Sequence, residues 1–137
     1  MATIENFEDI VVWQKARELD KEIFLLMKDS IAYLKDFALV DQTKRSCGSI
    51  MDNIAEGFER GGNKEFIQFL YISKGSSGEL RSQLYRALDR GYINKDTFNK
   101  LYSQTKEISK LLSGFIKYLK ESDMKGEKFK KSLNLKL

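Results

Sequence analysis

Histidine and proline are both missing from this 137-residue chain, and cysteine occurs once, at Cys47. The lack of histidine removes the commonest metal ligand and the usual general base. Nucleophile pairs of the Ser-His and Cys-His kinds are therefore excluded, as are di-iron bundles built on Glu-x-x-His pairs. A single cysteine excludes a disulfide within the chain. We predict no cofactor, no metal site, no catalytic residues and no enzymatic activity.

The absence of proline favours long uninterrupted helices, because proline removes a backbone donor and breaks a helix interior. Hydrophobic residues make up 42% of the chain and charged residues 32%, as is usual for one globular domain with solvated helix faces. No apolar run approaches the roughly 20 residues that cross a bilayer. The N-terminus also lacks the basic and apolar segments of a signal peptide. We expect a cytoplasmic protein without membrane association.

Apolar residues recur every three or four positions in four stretches, which is the spacing of amphipathic helices. The predicted helices cover about residues 9–28, 37–60, 64–90 and 94–119. Residues 29–36 are interpreted as a loop or a short helical turn. Short connections between long helices favour an all-α, antiparallel up-down-up-down four-helix bundle. We assign residues 1–122 to this bundle and residues 123–137 to a basic C-terminal tail, which we predict to be flexible.

The connection between the second and third helices contains Gly61 and Gly62. Glycine adopts positive φ without a Cβ clash, so this pair suits a helix stop. Asn63 is predicted to be the N-cap of the third helix. Glu65 would then lie in its first turn, where the helix dipole favours negative charge.

Two runs of small residues, 46–49 and 73–78, lie inside the predicted second and third helices. Each interior glycine costs a helix about 1 kcal/mol relative to alanine, and close approach of the two backbones is a simple compensation. In an antiparallel hairpin that turns near residue 61, the two runs would face each other. The alternative is a pair of weakened helix centres. Cys47 lies in the first run and is predicted to be a small core residue, not a reactive thiol.

The net charge of +4 belongs to the tail, since residues 125–137 contain five lysines and one glutamate while residues 1–124 are neutral. A uniformly basic surface that coats nucleic acid is therefore not indicated. Lysine and arginine can still neutralise phosphates locally. The candidate nucleic-acid-binding residues are Lys44, Arg45, Arg60, Lys64, Arg81, Arg86, Arg90, Lys125, Lys128, Lys130 and Lys131. The alternative is that they are ordinary solvated side chains.

Several large apolar side chains fall beside the main helical seams. They are Phe24, Leu25, Tyr71, Ile72, Tyr85, Tyr102, Ile116 and Tyr118. Extra apolar surface often marks a partner site, so the four tyrosines are candidate subunit-interface residues. A broad core face edged by tyrosines is the alternative. Trp13 also lies beside a seam, and we place it at the edge of the core.

The tail supports more than one interpretation. Phe129, Leu133 and Leu137 have the spacing of a short amphipathic helix, and Leu133, Leu135 and Leu137 alternate as in a strand. Five lysines in thirteen residues favour disorder. Docking of the tail onto a neighbouring subunit is the alternative.

Three segments together resemble the four-helix-bundle family of proteins encoded within intervening sequences of bacterial 23S ribosomal RNA genes. They are residues 7–16, the motif Asn53-Ile54-Ala55-Glu56-Gly57, and residues 64–76, which are followed by Glu79-Leu80, Gln83-Leu84 and Gly91-Tyr92-Ile93. Their order and spacing cover about residues 6–119. The resemblance implies a small helical protein without catalytic residues. We expect the motif to be structural, with hydrogen bonds from Asn53 and Glu56 that fix the turn between the second and third helices.

This family is similar to the accessory protein of diversity-generating retroelements, which forms a five-fold ring and binds a reverse transcriptase and nucleic acid. The resemblance implies a homo-oligomer, by analogy a pentamer, that binds RNA or DNA. The alternative is a structural bundle that binds a protein partner and no nucleic acid. Met51 stands where the family usually has proline, which predicts a straighter second helix.

Overall fold

The computed structural model describes the backbone of residues 4–136 and the side chains of residues 4–123. Within that part of the chain every regular element is helical, which confirms the all-α prediction. A 3₁₀ turn, Phe7–Asp9, precedes five α-helices. These are α1 (Val11–Lys28), α2 (Ile31–Lys35), α3 (Phe37–Glu59), α4 (Asn63–Asp89) and α5 (Lys95–Lys136). None of the described helices is both long and apolar enough to cross a bilayer.

The short helix α2 occupies the segment that was interpreted as a loop or a helical turn. The hydroxyl of Ser30 accepts a hydrogen bond from the backbone N–H of Tyr33 at 3.3 Å and so caps α2. Asp36 caps α3 in the same way, because its carboxylate accepts from the N–H of Leu39 at 3.3 Å. Tyr33 is fully buried, although the sequence did not indicate it as a core residue.

One end of the bundle, which we call the α2 end, is held by Asp36. Its carboxylate accepts hydrogen bonds from Arg90 at 2.7 Å and from the hydroxyl of Tyr92 at 2.8 Å. The Tyr92 hydroxyl, followed by the Leu39 N–H and the Arg90 guanidinium, lowers the pKa of Asp36. The ring of Tyr92 stacks on Tyr33 with centroids 5.2 Å apart. The start of α3 and the end of α4 are thus tied together.

The opposite end, which we call the turn end, contains the connection between α3 and α4. Gly61 has a φ of +84°, as the predicted helix stop requires. Gly62 has an ordinary extended φ of −109° and is itself the N-cap of α4. The prediction that Asn63 caps α4 is therefore wrong by one residue, because the helix already begins there. Glu65 does lie in the first turn of α4.

The two runs of small residues face each other across α3 and α4, as predicted. The hydroxyls of Ser49 and Ser76 are 2.8 Å apart, and Ser73 donates to the carbonyl oxygen of Ile50 at 2.6 Å. Serines make this contact, whereas a Cβ added at Gly75 would meet nothing within 4 Å. The expectation that interior glycines allow the close approach is therefore wrong for Gly75.

The glycine that permits close packing is Gly57. A Cβ at this position would lie 2.7 Å from the Cβ of Phe69 and 3.0 Å from a ring carbon of Phe66. Two α4 side chains thus occupy the space that any larger residue would need. The helix α3 continues unbroken past Met51, and the predicted straighter course of this helix stays a prediction.

The core takes side chains from all four long helices, among them the fully buried Leu19, Ile50, Leu80 and Leu112. Cys47 is 1% exposed, and its burial raises the pKa of its thiol. The prediction of a small, unreactive core cysteine is confirmed. Trp13 is partly buried against the core, as predicted for a residue at its edge.

The helix α5 is much longer than its neighbour α4. Its 42 residues extend about 63 Å, and the 27 residues of α4 extend about 40 Å, at 1.5 Å per residue. Residues 123–137 were assigned to a flexible tail. The side chains of residues 124–137, including Lys125, Lys128, Lys130 and Lys131, lie outside the described part, so the expectations for them stay predictions.

Candidate nucleic-acid interface

A basic groove runs between α4 and α5 near the turn end. Its cavity of about 280 Å³ is lined by Tyr71, Lys74, Ser113, Ile116, Lys117, Lys120 and Glu121. Three lysines face one carboxylate, so the groove has a positive charge.

Tyr71 and Lys120 form the best-defined pair in this groove. The ammonium of Lys120 donates to the hydroxyl of Tyr71 at 2.7 Å and lies 5.1 Å from the centroid of the ring. The tyrosine is 47% exposed. An exposed ring beside a cation is the arrangement on which a base can stack while its phosphate is neutralised.

The basic surface continues along α4 to Arg81. Its guanidinium donates to the hydroxyl of Ser109 at 2.8 Å, and that hydroxyl donates to Ser77 at 3.1 Å. Arg81 is half-buried, so its position is fixed by α5. Among the candidate arginines, Arg81 is the one whose recorded side-chain bonds go to α5, at Thr105 and Ser109.

Further lysines of α5 fall on the same side by helical spacing. Lys106 and Lys110 are exposed. Together with Ser113 and Lys117 they recur every three or four residues, so all four lie on one face of α5. Their recurrence every three to four residues could have been detected in the sequence. We instead selected basic residues near the family motif and in the tail, and so missed Lys74, Lys106, Lys110, Lys117 and Lys120.

Of the other candidate cations whose side chains are described, most lie elsewhere and are already paired. The pairs are Arg45 with Asp41 at 3.0 Å, Arg60 with Glu56 at 2.9 Å, and Arg90 with Asp36 at 2.7 Å. Arg86 donates to the side-chain oxygen of Gln42. Lys44 borders a separate groove between α1 and α3, and Lys64 is exposed in the first turn of α4. The structure thus does not bring these residues into one site.

The four candidate interface tyrosines lie in three separate places. Tyr71 lines the basic groove, and Tyr118 lines a cavity at the turn end. Tyr85 packs on Phe98 and Tyr102 with centroids 4.8 and 6.0 Å away. Tyr102 is half-buried by this packing. No single tyrosine surface is formed by the described side chains.

The rest of the predicted apolar surface is partly correct. Phe24, Leu25 and Ile72 are all more than half exposed, but Ile116 is 4% exposed and belongs to the core. The prediction that Ile116 lies outside the core is wrong. It considered one apolar face of α5, whereas α5 packs against both α1 and α4. The structure also exposes Phe37, which the sequence did not indicate.

The family motif performs its structural role through apolar packing and not through the predicted hydrogen bonds. Asn53 donates to the carbonyl and hydroxyl oxygens of Ser49, both at 2.8 Å, and Glu56 accepts from Arg60 at 2.9 Å. These bonds stay within α3 and its C-cap, so the prediction that they fix the turn is wrong. Ile54 is fully buried, Ala55 is partly buried and Gly57 receives the side chains of α4.

A family model described as 23S rRNA-intervening sequence protein matches residues 8–114. The chain belongs to the 23S rRNA-intervening sequence protein family. The matched residues include α1, α3, α4 and about half of α5, together with Tyr71, Lys74 and Ser113 of the basic groove. Lys117 and Lys120 lie beyond the part that defines the family. No curated protein sequence matches the chain.

A solved structure supports the same assignment to the 23S rRNA-intervening sequence family. It is the 1.70 Å crystal structure of a protein of unknown function from the S23 ribosomal protein family of Bacteroides thetaiotaomicron. The two chains are 30% identical, with a TM-score of 0.73, and the match covers 78% of this chain and 99% of the other. Among the side chains described here, no group of His, Cys, Asp and Glu could hold a metal ion.

Proposed function

We propose that this member of the 23S rRNA-intervening sequence family is a non-enzymatic, homo-oligomeric bundle that binds RNA or DNA through the groove between α4 and α5. The observation that carries this proposal is the pairing of Lys120 with the exposed ring of Tyr71, with Lys74 and Lys117 beside it. Cations would neutralise phosphates, and the ring would stack a base.

The proposed architecture is an up-down-up-down arrangement of α1, α3, α4 and α5. It is supported by the order of the contacts between neighbouring helices. Lys15 pairs with Glu107 at 2.9 Å, whereas Glu22, further along α1, pairs with the earlier residue Lys100 at 3.5 Å. Antiparallel neighbours produce this reversed order. The basic groove is then the outer seam of one antiparallel pair.

The groove favours a single strand over a duplex. It is a narrow seam between two helices, and its tyrosine can reach only a base whose face is free. A ring of five copies, which the resemblance to the retroelement accessory protein suggests, would repeat the groove five times. Each copy would then need to contribute only a modest affinity.

The test compares two triple variants that remove the same charge. In the first, Lys74, Lys117 and Lys120 become glutamine; in the control, Lys44, Arg45 and Lys64 become glutamine. Fluorescence anisotropy with single-stranded RNA and DNA oligonucleotides measures affinity across a salt series. We expect the first variant to lose at least about tenfold in affinity, with its salt slope reduced by about 2 units. The control should bind as the parent does.

Equal losses of affinity in the two variants would show that binding depends only on the total charge. This result would contradict a binding site in the groove. An absence of binding by the parent chain, even at low salt, would overturn the proposal. It would favour the second candidate, a bundle that binds only protein. Its support is the apolar surface at the α2 end, where Ile31 is 73% and Phe37 is 80% exposed.

A further inference from the structure

The turn end contains a cavity with a volume of about 710 Å³. Its apolar lining includes Ile4, Phe58, Phe66, Phe115, Tyr118 and Leu119. The cavity is open to solvent beside the glycine turn. An opening of this size and apolarity is typical of a site that is filled by a side chain or a ligand.

The helix α5 forms one wall of this cavity and then continues past it. Asn63, where α4 begins, and Leu119 of α5 both line the cavity. Helix α4 therefore does not extend past the cavity. The backbone of α5 nevertheless runs to Lys136, about 25 Å beyond Leu119 at 1.5 Å per residue.

The apolar pattern of α5 resumes in this extension. Phe115 is followed at heptad spacing by Ser122 and Phe129, and Leu119 is followed by Gly126 and Leu133. The sequence thus maintains the register of the buried seam where its own bundle has ended. A seam repeated in this way needs a partner that covers it.

Carboxylates beside the cavity are available to pair with lysines of the extension, and Arg60, Lys64, Lys117 and Lys120 also stand next to lining residues. Residues 125–137 contain five lysines and one glutamate. Exposed glutamates stand next to the residues that line the cavity, namely Glu5, Glu59 and Glu65. No ion pair between described side chains involves any of these three.

We propose that residues 124–137 of a second copy of this chain dock on the turn-end cavity, with Phe129 and Leu133 towards the apolar lining and the lysines towards Glu59 and Glu65. The extension cannot fill its own cavity while α5 stays one helix, because it leads away from the bundle. Each copy offers one extension and one cavity, so the contact can join two copies reciprocally or successive copies in a ring. This inference rests on the homo-oligomer of the proposed function and does not depend on nucleic-acid binding.

Deletion of residues 124–137 is the first test. The deletion retains the whole length of α5 that packs on the bundle, and circular dichroism checks that the fold is kept. Light scattering should show an assembly for the full chain and a monomer for the shortened one. A monomeric full chain would overturn the proposal, including the case in which its own extension folds back. An assembly that survives the deletion would also overturn it.

A charge exchange tests the pairing itself. Variant A carries Lys128→Glu and Lys131→Glu, and variant B carries Glu59→Lys and Glu65→Lys. Each variant alone places like charges at the contact and should self-associate roughly tenfold more weakly. An equimolar mixture restores opposite charges at both contacts and should assemble as the parent does. A mixture that stays dissociated would contradict the contact. The matched control, Lys21→Glu with Lys44→Glu, should leave the mass unchanged.

The triple variant of Lys74, Lys117 and Lys120 separates this inference from the proposed function. It should lose nucleic-acid affinity and retain the assembly. If the assembly also disappeared in this variant, the groove and not the turn-end cavity would be the subunit contact. A shortened chain that is monomeric but still binds oligonucleotides would support both proposals independently.

Discussion

The two ends of the bundle are built in opposite ways. At the α2 end a buried tyrosine, a stacked tyrosine and one carboxylate tie α3 to α4, with Asp36 accepting from Arg90 at 2.7 Å and from Tyr92 at 2.8 Å. At the turn end the chain passes through glycines beside a cavity of about 710 Å³. The difference indicates that side-chain ties between helices are concentrated at one end and that an apolar cavity is left open at the other.

The largest expected effect on stability comes from replacing a tyrosine with alanine, and this substitution can be made at both ends. Tyr33→Ala removes a fully buried ring at the α2 end and should destabilise the chain by about 3–5 kcal/mol. Tyr118→Ala removes a ring at the turn end that is 47% exposed, and should cost less than about 1 kcal/mol. Urea denaturation measures both. Equal costs would mean that the ends do not differ in the way described.

The next effect tests the one tightly packed place at the turn end. Gly57→Ala introduces a Cβ 2.7 Å from that of Phe69, and relief requires α3 and α4 to separate. We expect a loss of about 1–3 kcal/mol. Gly75→Ala is the matched control, since it meets no neighbour and should stabilise the helix slightly. A neutral Gly57→Ala would show that the two helices can move apart freely.

The glycine turn offers a smaller effect and an internal control. Gly61 has a φ of +84°, so Gly61→Ala should cost about 1–2 kcal/mol. Gly62, with a φ of −109°, should accept alanine with little change. Thermal unfolding of the two variants compares them directly. If neither substitution lowered Tm, the φ of Gly61 in the protein would differ from the positive value described here.

The stability of the α2 end should depend on pH through one carboxylate. Asp36 has a lowered pKa in the folded chain, chiefly because of the Tyr92 hydroxyl. Its contribution to stability is therefore present above the unfolded pKa of about 3.9 and is lost as the pH falls through the folded value. Asp36→Asn keeps the N-cap acceptor and should lower Tm at neutral pH. The difference in Tm between this variant and the parent should shrink below about pH 4. A difference in Tm that stayed constant with pH would contradict the stabilising role of the Asp36 carboxylate.

The smallest effect belongs to the family motif. Glu56→Gln removes an exposed pair with Arg60 at 2.9 Å, and such pairs contribute little because solvent screens them. We expect no measurable change in Tm or in oligomer mass. A clear loss of stability would restore the earlier hypothesis that Glu56 fixes the turn.

The helices themselves could be predicted from the sequence because their signals are local. Apolar spacing located α1, α3, α4 and the first part of α5, and Gly61 marked the end of α3. Tyr33 was missed because α2 has only five residues, which is too short for a periodic pattern. Its burial depends on the stacked Tyr92, which is nearly sixty positions away in the chain.

The candidate site was harder to predict because it depends on which helices become neighbours. Arg45 and Arg60 looked available in the sequence, but each has a carboxylate one turn earlier that pairs with it. Lys74 and Lys120 are far apart in the chain and meet only when α4 packs on α5. The spacing of the α5 lysines was visible, but nothing local showed that they would face a tyrosine from α4.

The buried position of Cys47 has a practical consequence. Since it is the one cysteine of the chain and lies in the core, a thiol reagent can modify it only when the helices around it separate. The rate of labelling under native conditions thus reports the free energy of local opening, without an introduced probe. Followed in each variant above, it would show whether damage at either end spreads to the centre of the molecule or remains where it was made.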